Sequence, residues 1–235
     1  MIHPLWSRII LAADYEETEK ILTNAARFNA YLRWIKIGII PFLAAGPDII
    51  RKLKREGWNI FLDLKFHDIP HSVAGAVRLA ARYQVDMVNV HAIGGHAMLK
   101  AAVQAKNDLS PSMRLIAVTV LTSHDSIPWN PKGSIPDTVV ELARWAHHAG
   151  LDGVVCSPHE IENIKKSFGP TFLTVTPGIR FNPPDDDQKR WMPPHEAFQR
   201  GADFIVMGRS LMNLSEENLQ QMNEIFFRHF PLQSA

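Results

Sequence analysis

Short apolar runs rich in Ile, Val and Phe recur along the whole chain, and each is followed by a stretch with the apolar spacing of an amphipathic helix. The runs predict eight strands, at Arg8–Ala13, Trp34–Gly38, Trp58–Asp63, Asp86–His91, Leu115–Leu121, Gly153–Cys156, Phe172–Val175 and Phe204–Met207. The stretches between them predict helices at Glu16–Phe28, Pro47–Arg55, Pro70–Tyr83, His96–Lys106, Pro136–His148, Glu160–Phe168, Pro194–Arg200 and Glu216–Arg228. Several of these helices begin with proline or an acid and several end at glycine, as helix termini prefer.

This alternation of continuous apolar strands with amphipathic helices indicates a parallel sheet covered by helices on its outer face. Eight such units in 235 residues predict an α/β fold, a closed (β/α)8 TIM barrel, whose usual length is about 250 residues. We expect a single domain over residues 1–235, since no linker or internal repeat divides the sequence. A doubly wound open sheet is the alternative, but the G-x-G-x-x-G pattern of dinucleotide folds does not follow the first strand.

The composition is that of an ordinary globular protein, with 46% hydrophobic and 21% charged residues. A formal net charge of +1 gives no reason to expect binding to nucleic acid or to an anionic membrane. No stretch approaches the length of a membrane span and no targeting segment is evident, so we expect a soluble cytoplasmic protein. The single cysteine, Cys156, lies in an apolar run, which favours a small core residue over a nucleophile.

The most unusual polar segment is Asp63-Leu64-Lys65-Phe66-His67-Asp68-Ile69-Pro70, at the end of the third predicted strand. Side chains alternate along a strand, so Asp63 and Lys65 are expected on one side, with Asp68 just beyond the strand end. Charges are costly to bury, and these three must pair with one another or meet a charged ligand. The segment therefore suits proton delivery or capture of a polar substrate. A structural salt bridge at a strand terminus is the alternative.

Other polar residues also follow predicted strands, where the active sites of TIM barrels lie. They are Asp14, Lys36, His91, Thr122, Ser123, Arg180 and Arg209. Gly208-Arg209-Ser210 opens a short helix after the last strand, and glycine, helix N–H groups and arginine together suit a phosphate. Taken alone, this tripeptide could equally be a turn with a surface arginine.

The connection after the seventh predicted strand is long and polar, running from Arg180 past Gln188 to Pro193. Structureless connections beyond about 12–15 residues are usually lids, binding loops or disordered segments. We expect a lid that closes over a phosphate, with surface disorder as the alternative. The eleven histidines form no H-E-x-x-H motif or His/Cys cluster, so no metal site is predicted.

Taken together, these segments resemble the orotidine 5′-phosphate decarboxylase family, pyrimidine-pathway enzymes that convert orotidine monophosphate to uridine monophosphate. The segment Asp63–Pro70 carries the resemblance most strongly. Further matching blocks are Lys36-Ile37-Gly38, Val88-Asn89-Val90-His91-Ala92, Val118-Thr119-Val120-Leu121-Thr122-Ser123, Thr176-Pro177-Gly178-Ile179-Arg180 and Gly208-Arg209-Ser210. A D-x-K-x-x-D pattern alone is shared with sugar-phosphate lyases, whereas the full set of blocks is more specific.

The resemblance implies a decarboxylation that uses no cofactor and no metal. Lys65 would protonate C6 of the pyrimidine as carbon dioxide leaves, flanked by Asp63 and Asp68. Asp68, Ile69 and Ser72 would reach the site from the partner subunit, so the active unit would be a homodimer with shared active sites. Ser72 stands where the family usually has threonine, which would weaken this contact.

The resemblance also implies how the nucleotide would be held. Asp14 and Lys36 would bind ribose hydroxyls, and Thr122 would contact the pyrimidine. The phosphate would be bound after the last two strands, by Gly208, Arg209, Gln188 and, at the base of the lid, Arg180.

Two rival functions fit parts of the sequence. A metal-dependent decarboxylase or aldolase of sugar phosphates could reuse the D-x-K-x-x-D pattern, but it would need a further acid near Asp63 to hold Mg²⁺. A non-catalytic phosphate-binding barrel would keep Arg209, but would have no need for the trio of Asp63, Lys65 and Asp68.

Overall fold

Eight parallel strands close into a barrel in the order β1-β2-β3-β4-β5-β6-β7-β8, so the TIM-barrel prediction is confirmed. This computed structural model describes residues 1–127, 129, 132–181 and 191–232. Within those residues, no helix is both long and apolar enough to cross a lipid bilayer.

The strands occupy Ile9–Ala12 (β1), Trp34–Gly38 (β2), Asn59–Phe66 (β3), Met87–His91 (β4), Arg114–Val118 (β5), Gly153–Val155 (β6), Leu173–Thr176 (β7) and Phe204–Met207 (β8). The helices occupy Thr18–Phe28 (α1), Ile39–Ala45 (α2), Asp48–Arg55 (α3), Pro70–Arg82 (α4), Gly95–Leu109 (α5), Ile135–Ala149 (α6), Ile161–Phe168 (α7), Pro194–Gln199 (α8), Arg209–Met212 (α9) and Glu216–His229 (α10). Short 3-10 helices precede β1, at Pro4–Arg8, and α5, at Ala92–Gly94.

The predicted elements are recovered in order, with several ends shifted by one to three residues and one further helix, α2. Strand β3 continues to Phe66, three residues beyond the predicted end at Asp63, while β5 ends at Val118 instead of Leu121. Helix α2 was not predicted, because its apolar residues include exposed ones and Pro41 interrupts the helical pattern.

Two apolar layers hold the barrel together. The inner layer fills the barrel with side chains from seven strands: Ile10, Trp34, Phe61, Met87, Ile116, Val175 and Phe204. A larger layer packs the outer faces of the strands against the helices, with fully buried residues such as Leu11, Phe28 and Phe226. Burial of such side chains contributes roughly 1.5–3 kcal/mol each, and the packed interior leaves the strand ends as the place for a site.

A lysine–aspartate pair recurs at the N-terminal end of the barrel, once for every second strand from β4 onward. In each copy, an aspartate lies directly before an even-numbered strand. Its carboxylate accepts a hydrogen bond from the backbone N–H of the second residue of the preceding strand, and it forms an ion pair with a lysine of a helix. The three copies join Asp86 to Ile60 and Lys54, Asp152 to Leu115 and Lys106, and Asp203 to Thr174 and Lys165. We call these three groups the lysine–aspartate clamps. They hold neighbouring strands together at the end of the barrel opposite to the predicted site.

Candidate active site

The charged side chains of β3 lie at the C-terminal mouth of the barrel, and Lys65 and Asp63 are in direct contact. Lys65 Nζ lies 2.7 Å from Asp63 Oδ1. Asp63 is buried, with 8% of its surface exposed, whereas Lys65 is partly exposed to the cavity. Lys65 adopts a φ of +50°, in the left-handed region that side chains other than glycine rarely occupy. The predicted contact is therefore present, but an irregular backbone, and not simple strand alternation, produces it.

A second lysine joins the same network from β2. Lys36 Nζ lies 2.7 Å from Asp14 Oδ1 and 3.4 Å from Asp63 Oδ2, so it bridges acids that follow or belong to the strands on either side. Lys36 is buried and its ammonium is balanced by two carboxylates, as burial of a charge requires. A Cβ atom at Gly38 would lie 2.8 Å from Asp14 Oδ1 and 3.0 Å from Lys36 Nζ. Glycine at this position leaves room for the bridge.

A small cavity of about 210 Å³ opens directly above this network. Lys36, Asp63, Lys65 and Thr122 supply its polar groups. The remaining wall is apolar and comes from Phe61, Val118, Val120, Leu121, Val155, Val175, Pro177 and Val206. A flat, largely apolar ring with a few polar edges would fit such a cavity.

A larger, open cavity of about 670 Å³ adjoins the small one, since Lys36, Pro177 and Val206 line both. Arg180, Gly208 and Arg209 also line the larger cavity, as does Asp14, which contacts Lys36. A Cβ atom at Gly208 would lie 3.4 Å from the Cβ of Ala12, so glycine lets the last loop approach β1 closely. Two arginines in one open cavity favour an anionic ligand.

The loops that carry these arginines are tied together. Ser210 Oγ donates a hydrogen bond to the carbonyl of Ile179, at 3.3 Å. The backbone N–H of Arg180 donates to the carbonyl of Met192, and that of Met192 to Gly178, so the predicted lid begins and ends at one point of the rim. Gln188 lies outside the described residues.

The segment after β3 carries the remaining predicted residues, and all of them face outward. Asp68, Ile69 and Ser72 are exposed, Ile69 to 66%. Asp68 Oδ1 accepts a hydrogen bond from the backbone N–H of Ile69, at 2.6 Å. The segment is therefore available for contact with another molecule.

A sequence model of the "Orotidine 5'-phosphate decarboxylase / HUMPS family" matches residues 7–222. The chain belongs to this family. The matched range contains the barrel, the network of Asp14, Lys36, Asp63 and Lys65, and the two loops that carry the arginines. Asp68, the second acid of the D-x-K-x-x-D pattern, is not part of that network within this chain.

Curated relatives and a solved structure agree with the assignment. The chain is 47% identical over 223 residues to a protein named orotidine 5'-phosphate decarboxylase from Dichelobacter nodosus, with 93% of this chain and 97% of that protein covered. It is 45% identical over 216 residues to one of the same name from Nitrosospira multiformis, covering 89% and 88%. The crystal structure of orotidine 5'-phosphate decarboxylase from Lactobacillus acidophilus has a TM-score of 0.81 and 32% identity, over 96% of this chain and all of that one.

Asn89 and His91, both in β4, make contacts that the sequence did not predict. Asn89 is fully buried in β4 and bonds to Asp63 and to the backbone of Lys65. The ring of His91 lies 5.6 Å from that of His67. Burial, followed by the nearby positive charges, lowers the pKa of His91, which leaves its imidazole neutral near pH 7. A polar residue within an apolar strand was the available signal for Asn89.

Two further expectations from the sequence concern the single cysteine and a metal site. Cys156 is fully buried, and burial raises the pKa of its thiol to about 12, so the prediction of a core residue is confirmed. Among the described residues, no group of three or more His, Cys, Asp or Glu side chains could hold a metal ion.

Proposed function

We propose that this chain decarboxylates orotidine 5′-monophosphate to uridine 5′-monophosphate, with Lys65 as the proton donor and without a cofactor. The observation that carries the proposal is the ion-paired Lys65–Asp63 network below an apolar cavity, which adjoins a second cavity with two arginines. The family assignment and the names of the curated relatives support the substrate and the place in pyrimidine biosynthesis.

The chemistry requires a positive group at C6 of the pyrimidine. Loss of carbon dioxide leaves an electron pair in an sp2 orbital that the ring delocalises poorly. The ammonium of Lys65 would stabilise this developing charge and then donate its proton to C6. Asp63, held by Lys36 on its other oxygen, would fix the position of that ammonium.

The base and the phosphate of the nucleotide would occupy different cavities of the adjoining pair. The pyrimidine would occupy the small cavity beside Thr122, and the ribose hydroxyls would contact Asp14 and Lys36, which lie where the cavities meet. The phosphate would lie in the larger cavity, at Gly208 and Arg209, with Arg180 at the base of the lid and Gln188 contributed by the lid itself. Binding energy gained at the phosphate would drive lid closure and lower the barrier at C6.

A second copy of this chain would complete each site. Asp68, Ile69 and Ser72 are exposed, as they would be in one protomer of a dimer that delivers them to its partner. Apolar side chains are also exposed on α2, with Ile39 at 50%, Ile40 at 51% and Leu43 at 78%, and exposed apolar surface is typical of contact regions. The homodimer would act in the cytoplasm.

The test is turnover of orotidine monophosphate by purified protein in the presence of EDTA. Loss of the pyrimidine absorbance, with uridine monophosphate identified as the product, is the expected result. Absence of conversion by folded protein, combined with Mg²⁺-dependent turnover of sugar phosphates, would favour the rival lyase and refute the proposal.

A further inference from the structure

Asn89 is a polar residue at a position where the fold needs none. It lies in the middle of β4 between Val88 and Val90, and no part of its surface is exposed. A buried amide is unfavourable unless its donors and acceptor are bonded. Both hydrogen bonds of its side chain in the described structure go to the segment that carries Asp63 and Lys65.

The amide oxygen of Asn89 provides a hydrogen-bond acceptor at a bulge in β3. Leu62 pairs with Val88 and Phe66 pairs with Val90, so residues 63–65 of β3 stand opposite Asn89 alone. Such a bulge takes backbone groups out of the regular ladder. The Oδ1 atom of Asn89 accepts the N–H of Lys65 at 2.8 Å, at the residue whose φ is +50°. The side chain thus replaces a ladder bond and supports a backbone conformation that lysine rarely adopts.

The amide NH2 group of Asn89 binds the carboxylate of Asp63. Asn89 Nδ2 donates to Asp63 Oδ1 at 2.6 Å, the same oxygen that Lys65 Nζ contacts at 2.7 Å. Lys36 contacts the other oxygen. With both oxygens engaged, the Asp63 side chain cannot rotate without breaking a bond.

We infer that Asn89 is a positioning residue for the decarboxylation: one amide fixes both the bulged backbone of Lys65 and the carboxylate that orients the Lys65 ammonium. It lines neither cavity and acts through these two residues. The inference rests on the proposed function, because its effect is expected on the chemical step. Displacement of a reacting group by about 1 Å can cost about a hundredfold in rate.

Two variants of Asn89 separate this role from simple packing, and Thr174→Val is the matched control. Asn89→Leu keeps the number and branching of the side-chain heavy atoms and removes both bonds. Asn89→Asp keeps the acceptor for the Lys65 N–H but replaces the donor with a second carboxylate beside Asp63. Thr174 is equally buried in β7, but the bonds of its hydroxyl go to Gly201 and Asp203 at the opposite end of the barrel. Turnover of orotidine monophosphate, affinity for uridine monophosphate and the melting temperature are measured for each.

For Asn89→Leu we expect kcat to fall by about a hundredfold while affinity for uridine monophosphate stays within about threefold, since the apolar wall of the small cavity and the arginines of the larger cavity are unchanged. For Asn89→Asp we expect kcat to fall as pH rises, because two adjacent carboxylates hold a shared proton at low pH and repel each other once it is lost. Thr174→Val should lower the melting temperature and keep the kcat and pH profile of the unmutated protein.

Equal losses of kcat and affinity in Asn89→Leu would overturn the inference, since they would indicate general disruption of the site. A kcat of Asn89→Asp within about threefold of that of the unmutated protein, with an unchanged pH profile, would also overturn the inference. If Asn89→Leu does not fold, the result for Asn89→Asp alone decides whether the inference holds. Failure of the unmutated protein and of Thr174→Val to turn over orotidine monophosphate would refute the proposed function, and this inference with it.

Discussion

The ammonium of Lys65 lies 2.7 Å from the Oδ1 atom of Asp63 at the mouth of the barrel. A charge that is already oriented needs no reorganisation when negative charge develops on a substrate, and such preorganisation is usually the largest contribution to catalysis. The contact joins residues only two positions apart, yet it depends on the bulge in β3 and on the neighbouring strands. The catalytic proposal therefore depends on the structure of three adjacent strands as well as on a sequence motif.

The first prediction concerns the phosphate. Arg209→Ala should weaken binding of uridine monophosphate by about 10- to 100-fold, since a hydrogen bond to a charged group contributes about 1.5–3 kcal/mol. Binding of uridine, which lacks the phosphate, should not change. Calorimetric titration of both ligands makes the comparison, with the exposed Arg55→Ala as the control. Unchanged affinity of Arg209→Ala for uridine monophosphate would contradict the assignment.

The second prediction concerns the shared site. Lys65→Ala and Asp68→Ala should each be nearly inactive as separate proteins. After subunit exchange, a mixed dimer would hold one site with both substitutions and one site with neither. Each mixed dimer should therefore have at most about half of the activity of an unmutated dimer. Turnover is measured before and after mixing.

Subunit exchange must be verified independently, for example by energy transfer between labelled chains. If exchange is complete and activity does not return, Asp68 does not act across a subunit interface. A monomer in solution at working concentrations would contradict the proposal directly.

The third prediction concerns stability. Asp203→Asn removes the charge that pairs with Lys165 and weakens the acceptor for the Thr174 N–H, and we expect the free energy of unfolding to fall by about 3 kcal/mol. For a chain of this length the melting temperature should fall by about 6–12 °C. The clamp lies away from the catalytic mouth, so kcat at 25 °C should not change. Thermal unfolding and turnover check this, and the exposed Asp108→Asn is the control. An unaltered melting temperature would show that the clamp does not stabilise the barrel.

The order and type of most elements could be predicted from sequence because each strand–helix unit has its own periodicity. The bounds of β2 and β8 were predicted to the residue. Since parallel strands of a barrel end at one rim, polar residues after successive strands were expected to converge. Asp14, Lys36 and Asp63 do so.

The bulge in β3 could not be predicted, because it depends on pairing with β4 and on an amide donated by that strand. No local pattern around Lys65 indicates a positive φ, and Asn89 lies 24 residues away in sequence. The lysine–aspartate clamps were missed for a similar reason: in each, the aspartate lies 26–46 residues after the lysine and the backbone N–H that it binds. Gln188, and with it most of the predicted lid, lies outside the described residues, so that part stays a prediction.

The most direct test of the account is the turnover of orotidine monophosphate, in the presence of EDTA, by the unmutated protein and by Lys65→Ala. Lys100→Ala, which removes an exposed lysine, is the matched control. We expect efficient formation of uridine monophosphate by the unmutated protein and by the control, and a loss of turnover of at least about ten-thousandfold in Lys65→Ala. Turnover by Lys65→Ala within about tenfold of the unmutated protein would contradict the role of Lys65 as the proton donor.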